Sequence, residues 1–405
     1  MVQMPMPAGA DTLPQNEGIS ALRIAIIVER FARGAGGVEN VAWQVAHELA
    51  RTGEDVTVLT RNAEGGFPPV ESGRPRLAVQ RLPVPSAWQP LRVVAFSRAS
   101  ANAVRRGAFD VVHSFSRTRH QDLYRAGGGS HRDYLRRSHS KTGALLRQFS
   151  PRHRVLLSIE ARVFNDPTQR IQCASRLVAD ALMADHDVSP ERILLLPNAV
   201  DADRYGSPAA LEVGRRLRAE LDEKAEQIWL FPASGWHRKG LPTLLEALAR
   251  IPDPGLHLWI AGRDEPKSWR ATASGLGLGD RVRFLGPRTD LEAIYGAVDG
   301  MVLPTRYDAF ANVTLEAAAS GLPIITTRSN GAAEALEGAV SIIENATDSV
   351  ALAEAFAPFA DPDRRRKIGQ RALEMARRLD WAQHVSHLRQ EYQRIIEARE
   401  ERQVR

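Results

Sequence analysis

The sequence predicts an α/β protein built from two Rossmann-like, doubly wound parallel-sheet domains facing across a cleft, and three observations lead there. The chain has 405 residues, more than one ordinary domain. Short apolar runs alternate with segments of helical spacing, the signature of βαβ units. That alternation restarts near mid-chain, after the turn-rich stretch Pro197-Asn198-Ala199-Val200-Asp201. The expected boundaries are a leader over residues 1–20, an N-terminal Rossmann-like domain over 21–196, a C-terminal Rossmann-like domain over 197–380 and a terminal helix over 381–405 that returns to the N-terminal domain.

The first unit is Ile24-Ala25-Ile26-Ile27-Val28, a continuous apolar run expected of a buried parallel strand. The glycine-rich loop Gly34-Ala35-Gly36-Gly37 follows it. Val38, Val41, Ala42, Val45, Ala46 and Leu49 then fall at helical spacing, with Gly53 where a helix ends. Residues 56–59 give a second strand, 111–113 a further one, and 193–196 the last before the linker. In the second half, strand 228–231 leads through a loop containing Gly235 and Gly240 into helix 241–250, with Pro242 near its first position. Strands 257–260, 282–285, 301–303 and 323–326 follow with helices between them. From Asp361 onward the chain reads as helical and heavily charged, which suits a long terminal helix along the outside.

Composition narrows the function. With 43% apolar and 25% charged residues the chain is not of the disordered class. Cys173 is the only cysteine, so no internal disulfide can form and the reducing cytoplasm is the simpler setting. Residues 1–20 lack a basic n-region and an apolar h-region and read as a mobile leader. The longest aliphatic runs fall short of the roughly 20 residues a bilayer span requires. The net charge of +6 implies an anionic partner. The imbalance is concentrated over residues 117–162, where Arg119, Arg125, Arg132, Arg136, Arg137, Lys141, Arg147, Arg152 and Arg154 face only Asp122, Asp133 and Glu160. This segment is expected to attract an anionic partner, a lipid surface or a phosphorylated glycan, with a solvated arginine-rich face as the alternative. No helix-turn-helix, RNP or zinc spacing is evident, so no nucleic-acid partner is expected.

The Gly34 loop is not a dinucleotide fingerprint. Glu39 occupies the third glycine position, and the second strand ends in Thr60-Arg61 where an acidic residue would bind a ribose. Its glycines can still offer N–H groups to an anion or sugar hydroxyl, or serve close packing alone. The most informative stretch spans 307–323. It places Asp308 in a loop after strand 301–303 and Glu316 two turns later on the next helix, with the N–H groups of the helix start between them. A carboxylate accepts two hydrogen bonds at once, which suits vicinal hydroxyls, and a helix start suits a diphosphate. Trp236-His237-Arg238-Lys239-Gly240 is a second phosphate element, or else a solvated basic loop. Asp-x-Asp triplets at Asp185, Asp201 and Asp361 are of a kind that arises by chance, and no metal is assigned.

Lys239-Gly240, Phe284-Leu285-Gly286, Pro304, Asp308 with Glu316, and residues 317–323 together resemble the retaining family 4 glycosyltransferases of GT-B fold. Asn198-Ala199-Val200-Asp201 and Gly36-Gly37-Val38-Glu39 match as well, and the resemblance runs from Leu22 to about Leu388. Within the family, Arg238-Lys239-Gly240, Gln121-Asp122-Leu123-Tyr124-Arg125-Ala126 and residues 154–164 are similar to the enzymes that glucosylate the inner-core heptose of lipopolysaccharide.

The resemblance implies that Glu316 binds the ribose hydroxyls, Asp308 the transferred sugar, and Arg238 and Lys239 the diphosphate. Phe310, Ala311, Asn312, Val313, Gly286 and Arg288 complete the donor pocket, and Gly36 and Gly37 line the cleft from the other domain. Asp122 is placed near the anomeric carbon or the acceptor, unless it is a loop or cap acid. The implied activity is a retaining, metal-independent transfer of a hexose, probed first as glucose, from a UDP-sugar, with no cofactor, at the inner face of the cell membrane. GDP-mannose as donor, a glycolipid or exopolysaccharide as acceptor, a non-catalytic sugar-nucleotide binder and a sugar-nucleotide epimerase are the alternatives. Three departures stand out. Asp308 replaces the usual Glu, and Ala311 replaces a glycine. Ala233 or Ser234 stands where the family carries a basic residue, leaving that contact missing or supplied by His237.

Overall fold

The computed structural model describes residues 21–34, 36–64, 77–85, 88–138, 150–221 and 225–404. The leader expected over 1–20 lies outside them, as do Ala35, Lys141 and Arg147. The chain divides into one compact unit of Met1–Leu196 with Trp381–Arg405, and a second of Pro197–Asp380.

In the first unit the apolar runs become strands β1 (Arg23–Ile27), β2 (Arg30–Phe31), β3 (Asp55–Thr60), β4 (Asn62–Ala63), β5 (Leu77–Arg81), β6 (Val111–Ser114), β7 (Leu123–Arg125), β8 (Arg170–Cys173) and β9 (Ile193–Leu195). Seven of them form one sheet in the order β5-β3-β1-β6-β7-β8-β9, and β2 pairs with β4 separately. Every pairing in the sheet is parallel. Ile24, Ala25, Ile26 and Ile27 of the central strand are all buried, the state of a strand covered on both faces. Helix Gly37–Arg51 buries Val41, Ala42, Val45, Ala46 and Leu49, the residues whose spacing announced it. Gly53 follows its last turn at φ +109°, where a Cβ would be strained.

Helix Trp381–Val404 belongs to this unit. Val385, Leu388, Tyr392 and Ile395 share the core with Ile24, Ile26, Val45 and Val111. The Tyr392 hydroxyl lies 2.8 Å from Nδ1 of the buried His113, while Arg389 pairs with Glu54 and Arg170 with Glu391. The single long terminal helix expected from Asp361 onward is therefore two. Helix Pro362–Ala376 packs in the second unit, where a Cβ on Gly369 would meet the Gly321 carbonyl oxygen at 2.0 Å. The two stretches share charge and helical spacing but serve different cores, so pattern alone ran them together.

The second unit repeats the scheme with β10 (Gln227–Pro232), β11 (Leu256–Ala261), β12 (Val282–Gly286), β13 (Gly300–Leu303), β14 (Ile324–Thr327) and β15 (Ser341–Ile343). Their order is β12-β11-β10-β13-β14-β15, again all parallel. Both units are thus Rossmann-like, doubly wound α/β layers. Parallel strands send each strand-to-helix loop to the same edge, so the loops after β10, β12, β13 and β14 gather at one rim. Among the described residues no helix is long and apolar enough to cross a membrane.

Buried imidazoles give the first unit an acid sensitivity. Burial holds His113 well below its ordinary 6.5 and brings His131 down to about 3. The unfolded chain takes up protons at these positions below about 6.5 and the folded unit does not, so stability present above that pH is lost as pH falls. Denaturant unfolding followed from pH 7 to pH 5 should show falling stability, and a His113→Gln variant a shallower decline.

Candidate functional site

In the second unit β10 and β13 are neighbours, with Trp229 opposite Gly300 and Leu230 opposite Met301. The loops that leave their C-terminal ends consequently run side by side. The β10 loop carries Arg238 and Lys239, and the β13 loop carries Asp308. Lys239 Nζ forms an ion pair with Asp308 Oδ2, and Arg238 Nη1 lies 3.8 Å from the same oxygen while donating to the Tyr307 carbonyl at 2.6 Å.

The basic loop is held from several directions. Asp264 accepts from the Gly235 and Trp236 N–H groups at 2.7 and 3.0 Å, the Trp236 indole donates to the Ala233 carbonyl, and Arg306 N–H donates to the Arg238 carbonyl at 2.9 Å. Gly240 ends the loop at φ +90°, and a Cβ there would meet the Pro304 carbonyl oxygen at 1.9 Å. Only glycine permits that approach, so the position beside Lys239 is fixed by the neighbouring strand. Two cations and one carboxylate thus converge on a partly buried, rigid rim, an arrangement able to meet an anion as it develops charge.

The β14 loop supplies a support that the sequence reading missed. Asn330 is fully buried. Its Nδ2 donates to Thr314 Oγ1 at 2.9 Å and Thr326 Oγ1 at 3.0 Å, and its Oδ1 accepts from the Ala311 and Ala332 N–H groups. This one side chain fastens the Asp308 loop, the helix after it and β14 together. Its only mark in the sequence is Ser329-Asn330-Gly331, a turn composition at a strand end.

Helix Asn312–Ala319 begins at Ala311, which has no side chain to cap it. Asn312 Oδ1 accepts from Asn198 Nδ2 at 2.7 Å, tying the linker to the helix start. Only residues from Asn312 are helical, so Asp308 and Glu316 are related by a turn plus one helical turn and not by two full turns. The two acids have separate partners: Asp308 meets cations, whereas Glu316 Oε2 accepts from the Tyr295 hydroxyl at 3.1 Å. Burial raises the Glu316 pKa, opposed by hydrogen bonds from Tyr295 and Tyr205 and by the charge of Arg204.

The other residues expected on the donor side fall around this rim. Phe310 and Ala311 are buried under the loop, and the Phe310 N–H donates to Asp308 Oδ1 at 3.2 Å, while Val313 lies in the first turn of the helix. Gly286 ends β12 at φ +71° with nothing within 4 Å of a would-be Cβ. Arg288, in the next loop, is bound to Asp290 at 2.9 Å. At the family's missing basic position, Ala233 is buried and Ser234 accepts from the Arg263 N–H.

In the first unit Gly36 and Gly37 start the helix after β1, at the C-terminal edge of the sheet, with no side-chain cap on the helix. Asp122 is elsewhere. It precedes β7 and so lies at the opposite edge, where its carboxylate accepts from the Val112 N–H at 2.8 Å and from Arg399 at 2.6 Å. A short strand follows it, and its carboxylate joins β6 to the terminal helix. A cavity of about 530 Å³ opens beside it, between Gln169, Arg170 and the last turns of that helix.

The basic segment is also less uniform than its charge count. Arg125 is buried with its guanidinium 5.6 Å from the Phe115 ring, and desolvation lowers its pKa to about 10, so it is no surface acceptor contact. Arg136 and Arg137 both hold the buried Asp133, Arg132 donates to the Asp185 carbonyl, and Arg117 pairs with the buried Glu160. Arg119, Arg132, Arg136 and Arg137 still reach solvent. At the C-terminal edge of β7 the Gly127-Gly128-Gly129 turn leads to His131, whose N–H donates to Glu160 at 2.8 Å and whose ring lies 2.7 Å from His153. Among the described residues no group of three or more His, Cys, Asp or Glu is arranged to hold a metal ion.

Known proteins share this architecture. The model described as Glycosyltransferase Family 4 matches residues 35–204, and that described as Glycosyl transferases group 1 matches 226–360. The lipopolysaccharide glucosyltransferase WaaG of Escherichia coli is 26% identical over 360 residues, 87% of this chain and 90% of that protein. A D-inositol 3-phosphate glycosyltransferase of Saccharomonospora viridis is 27% identical over 95% of each chain. The crystal structure of WaaG superposes with a TM-score of 0.75 at 22% identity, covering 90% of this chain and 98% of that one. The Anabaena HepE protein in complex with UDP-glucose gives 0.67 at 19% identity, over 91% and 100%.

Proposed function

Because the chain is a family 4 glycosyltransferase of GT-B fold, we propose that it moves a hexose, glucose in the first instance, from a UDP-sugar to a hydroxyl of an anionic glycan such as a lipopolysaccharide core heptose. The observation that carries this reading is the convergence of Arg238, Lys239 and Asp308 at the ends of two adjacent strands, with Glu316 one helical turn into the helix that follows Asp308. The similarity to WaaG and the UDP-glucose complex of HepE support the choice of donor. The names of the two relatives, one a lipopolysaccharide enzyme and one acting on a phosphorylated polyol, support an anionic acceptor.

In this reading Glu316 accepts hydrogen bonds from the ribose 2′- and 3′-hydroxyls, and Arg238 and Lys239 take the diphosphate. Asp308, released from Lys239 as the diphosphate takes over that cation, turns to the hydroxyls of the transferred sugar. The bond from the anomeric carbon to the diphosphate oxygen breaks and the bond to the acceptor oxygen forms on the same face. The acceptor proton passes to the departing phosphate oxygen, so configuration is retained. Arg238 and Lys239 supply the positive charge that a divalent cation would otherwise bring, and no metal or cofactor is required. The solvent-reaching Arg119, Arg132, Arg136 and Arg137 attract the acceptor and an anionic membrane surface, each surface cation contributing about 1 kcal/mol at most.

Calorimetry in the presence of a chelator tests the donor reading, with UDP-glucose, UDP-galactose, UDP-N-acetylglucosamine and GDP-mannose as ligands. One donor should bind, and Glu316→Ala should weaken it about thirtyfold or more, the equivalent of ~2 kcal/mol for a charge-assisted hydrogen bond. Wild-type affinity should also decline at acid pH, starting above the ordinary carboxylate value of 4.5 because burial raises Glu316. Equal affinity in the variant would remove the role assigned to Glu316. Separately, vesicle sedimentation should show retention on anionic but not neutral lipid, weakened when Arg119 and Arg132 are both replaced by Gln. Indifference to lipid charge would sink the membrane contact.

A further inference from the structure

Two phenols meet at Glu316. Tyr295, on helix Leu291–Ala297, is fully buried and donates to Oε2 at 3.1 Å, with the Val313 carbonyl 3.4 Å from the same hydroxyl. Tyr205, at the end of helix Ala202–Tyr205, is also buried, and its phenol is electrostatically coupled to the Glu316 carboxyl from another element. The two rings meet edge to face with centroids 5.9 Å apart. Burial raises both phenols above their ordinary value of 10, so each remains a protonated donor at any physiological pH.

The Tyr205 segment is itself anchored. Asp201 accepts from the Arg204 N–H at 3.1 Å, and Ser320 Oγ donates to the Tyr205 carbonyl at 3.3 Å. A Cβ on Gly206 would meet the Ala319 carbonyl oxygen at 2.6 Å, so the segment is pressed against the helix that carries Glu316. Arg204 lies over the Tyr205 ring at 5.1 Å and pairs with Glu292 at 3.2 Å, which fixes that ring from its outer face.

A carboxylate offers about four lone-pair sites, and the Tyr295 donor leaves the rest for a ligand. Without such donors a glutamate has three side-chain torsions to lose on binding, and the loss weakens whatever it grips. We propose that Tyr205 and Tyr295 are positioning residues, Tyr295 by direct donation and Tyr205 by its phenol beside the carboxyl and its ring against Tyr295, that together hold Glu316 in one orientation so that its remaining lone pairs meet the vicinal ribose hydroxyls of the sugar-nucleotide. The inference rests on reading Glu316 as the ribose clamp. It adds that the linker-proximal turn around Tyr205 takes part in donor affinity without touching the donor.

Tyr205→Phe and Tyr295→Phe remove only the hydroxyls and keep the ring packing, which makes them the variants to use. Binding of UDP and GDP is measured by calorimetry on the full chain beside their 2′,3′-dideoxy analogues, with donor KM and kcat measured for the same variants. For the nucleotide that wild type binds, each Phe variant should weaken affinity three- to tenfold, and the double variant more than tenfold. The dideoxy analogue should bind all variants within twofold of wild type, and the kinetic loss should fall on KM with kcat nearly unchanged. Phe variants that bind like wild type, or that lose both nucleotide forms equally, overturn the proposal, the second because it marks a structural role. Glu316→Ala separates the two readings. If it weakens the ribonucleotide while the Phe variants do not, only the tyrosine proposal fails. If it has no effect, or neither nucleotide binds, the ribose clamp itself is lost and this inference with it.

Discussion

Parallel pairing is the constraint on which this molecule depends. A strand that runs parallel to its neighbour must return by a crossover, and every crossover begins at the same edge of the sheet. In the second unit that rule carries Arg238 and Lys239 from β10, Asp308 from β13 and Asn330 from β14 to one rim, although they are separated by up to 92 positions in the chain. In the first unit the same rule sets Asp122 at the other edge of its own sheet. It stands before β7, at the edge where strands begin, and its carboxylate is spent on Val112 and Arg399.

At the rim, the two acids are treated differently by their surroundings. Asp308 faces Lys239 and Arg238, so its charge is matched before any ligand arrives. Glu316 faces uncharged phenols, with burial pulling its pKa up and the phenol hydrogen bonds pulling it down. In the proposed reading, a ligand bearing both phosphates and hydroxyls resolves the two situations together, its phosphate competing for the cations and its hydroxyls completing the coordination of the carboxylates. This division of labour is the physical content of the donor assignment.

Much of the frame was legible because buried parallel strands are continuous apolar runs. The runs at 24–28, 56–59, 228–231 and 301–303 all lie on or within a residue of a strand. β7 and β15, three residues each, were too short to carry a period, and β5 lies at a sheet edge where polar residues break the run. The basic loop and the acidic helix could be found from residue types at strand ends. Their supports could not. Tyr205, Tyr295 and Asn330 act across the fold on elements far off in sequence, and nothing local to them signals the partner. Charge counting failed for a related reason: the sequence shows that Arg125, Arg136 and Arg137 are cationic, whereas only packing shows that one is buried and two hold Asp133.

The most direct measurement is a crystal structure of the full chain grown with UDP. The account predicts the ribose hydroxyls within hydrogen-bonding distance of Glu316 and the diphosphate oxygens in reach of Arg238 and Lys239, with the Lys239 to Asp308 pair opened. A nucleotide bound elsewhere, or bound at this rim with Glu316 still satisfied by tyrosine alone and its ribose turned away, would contradict it.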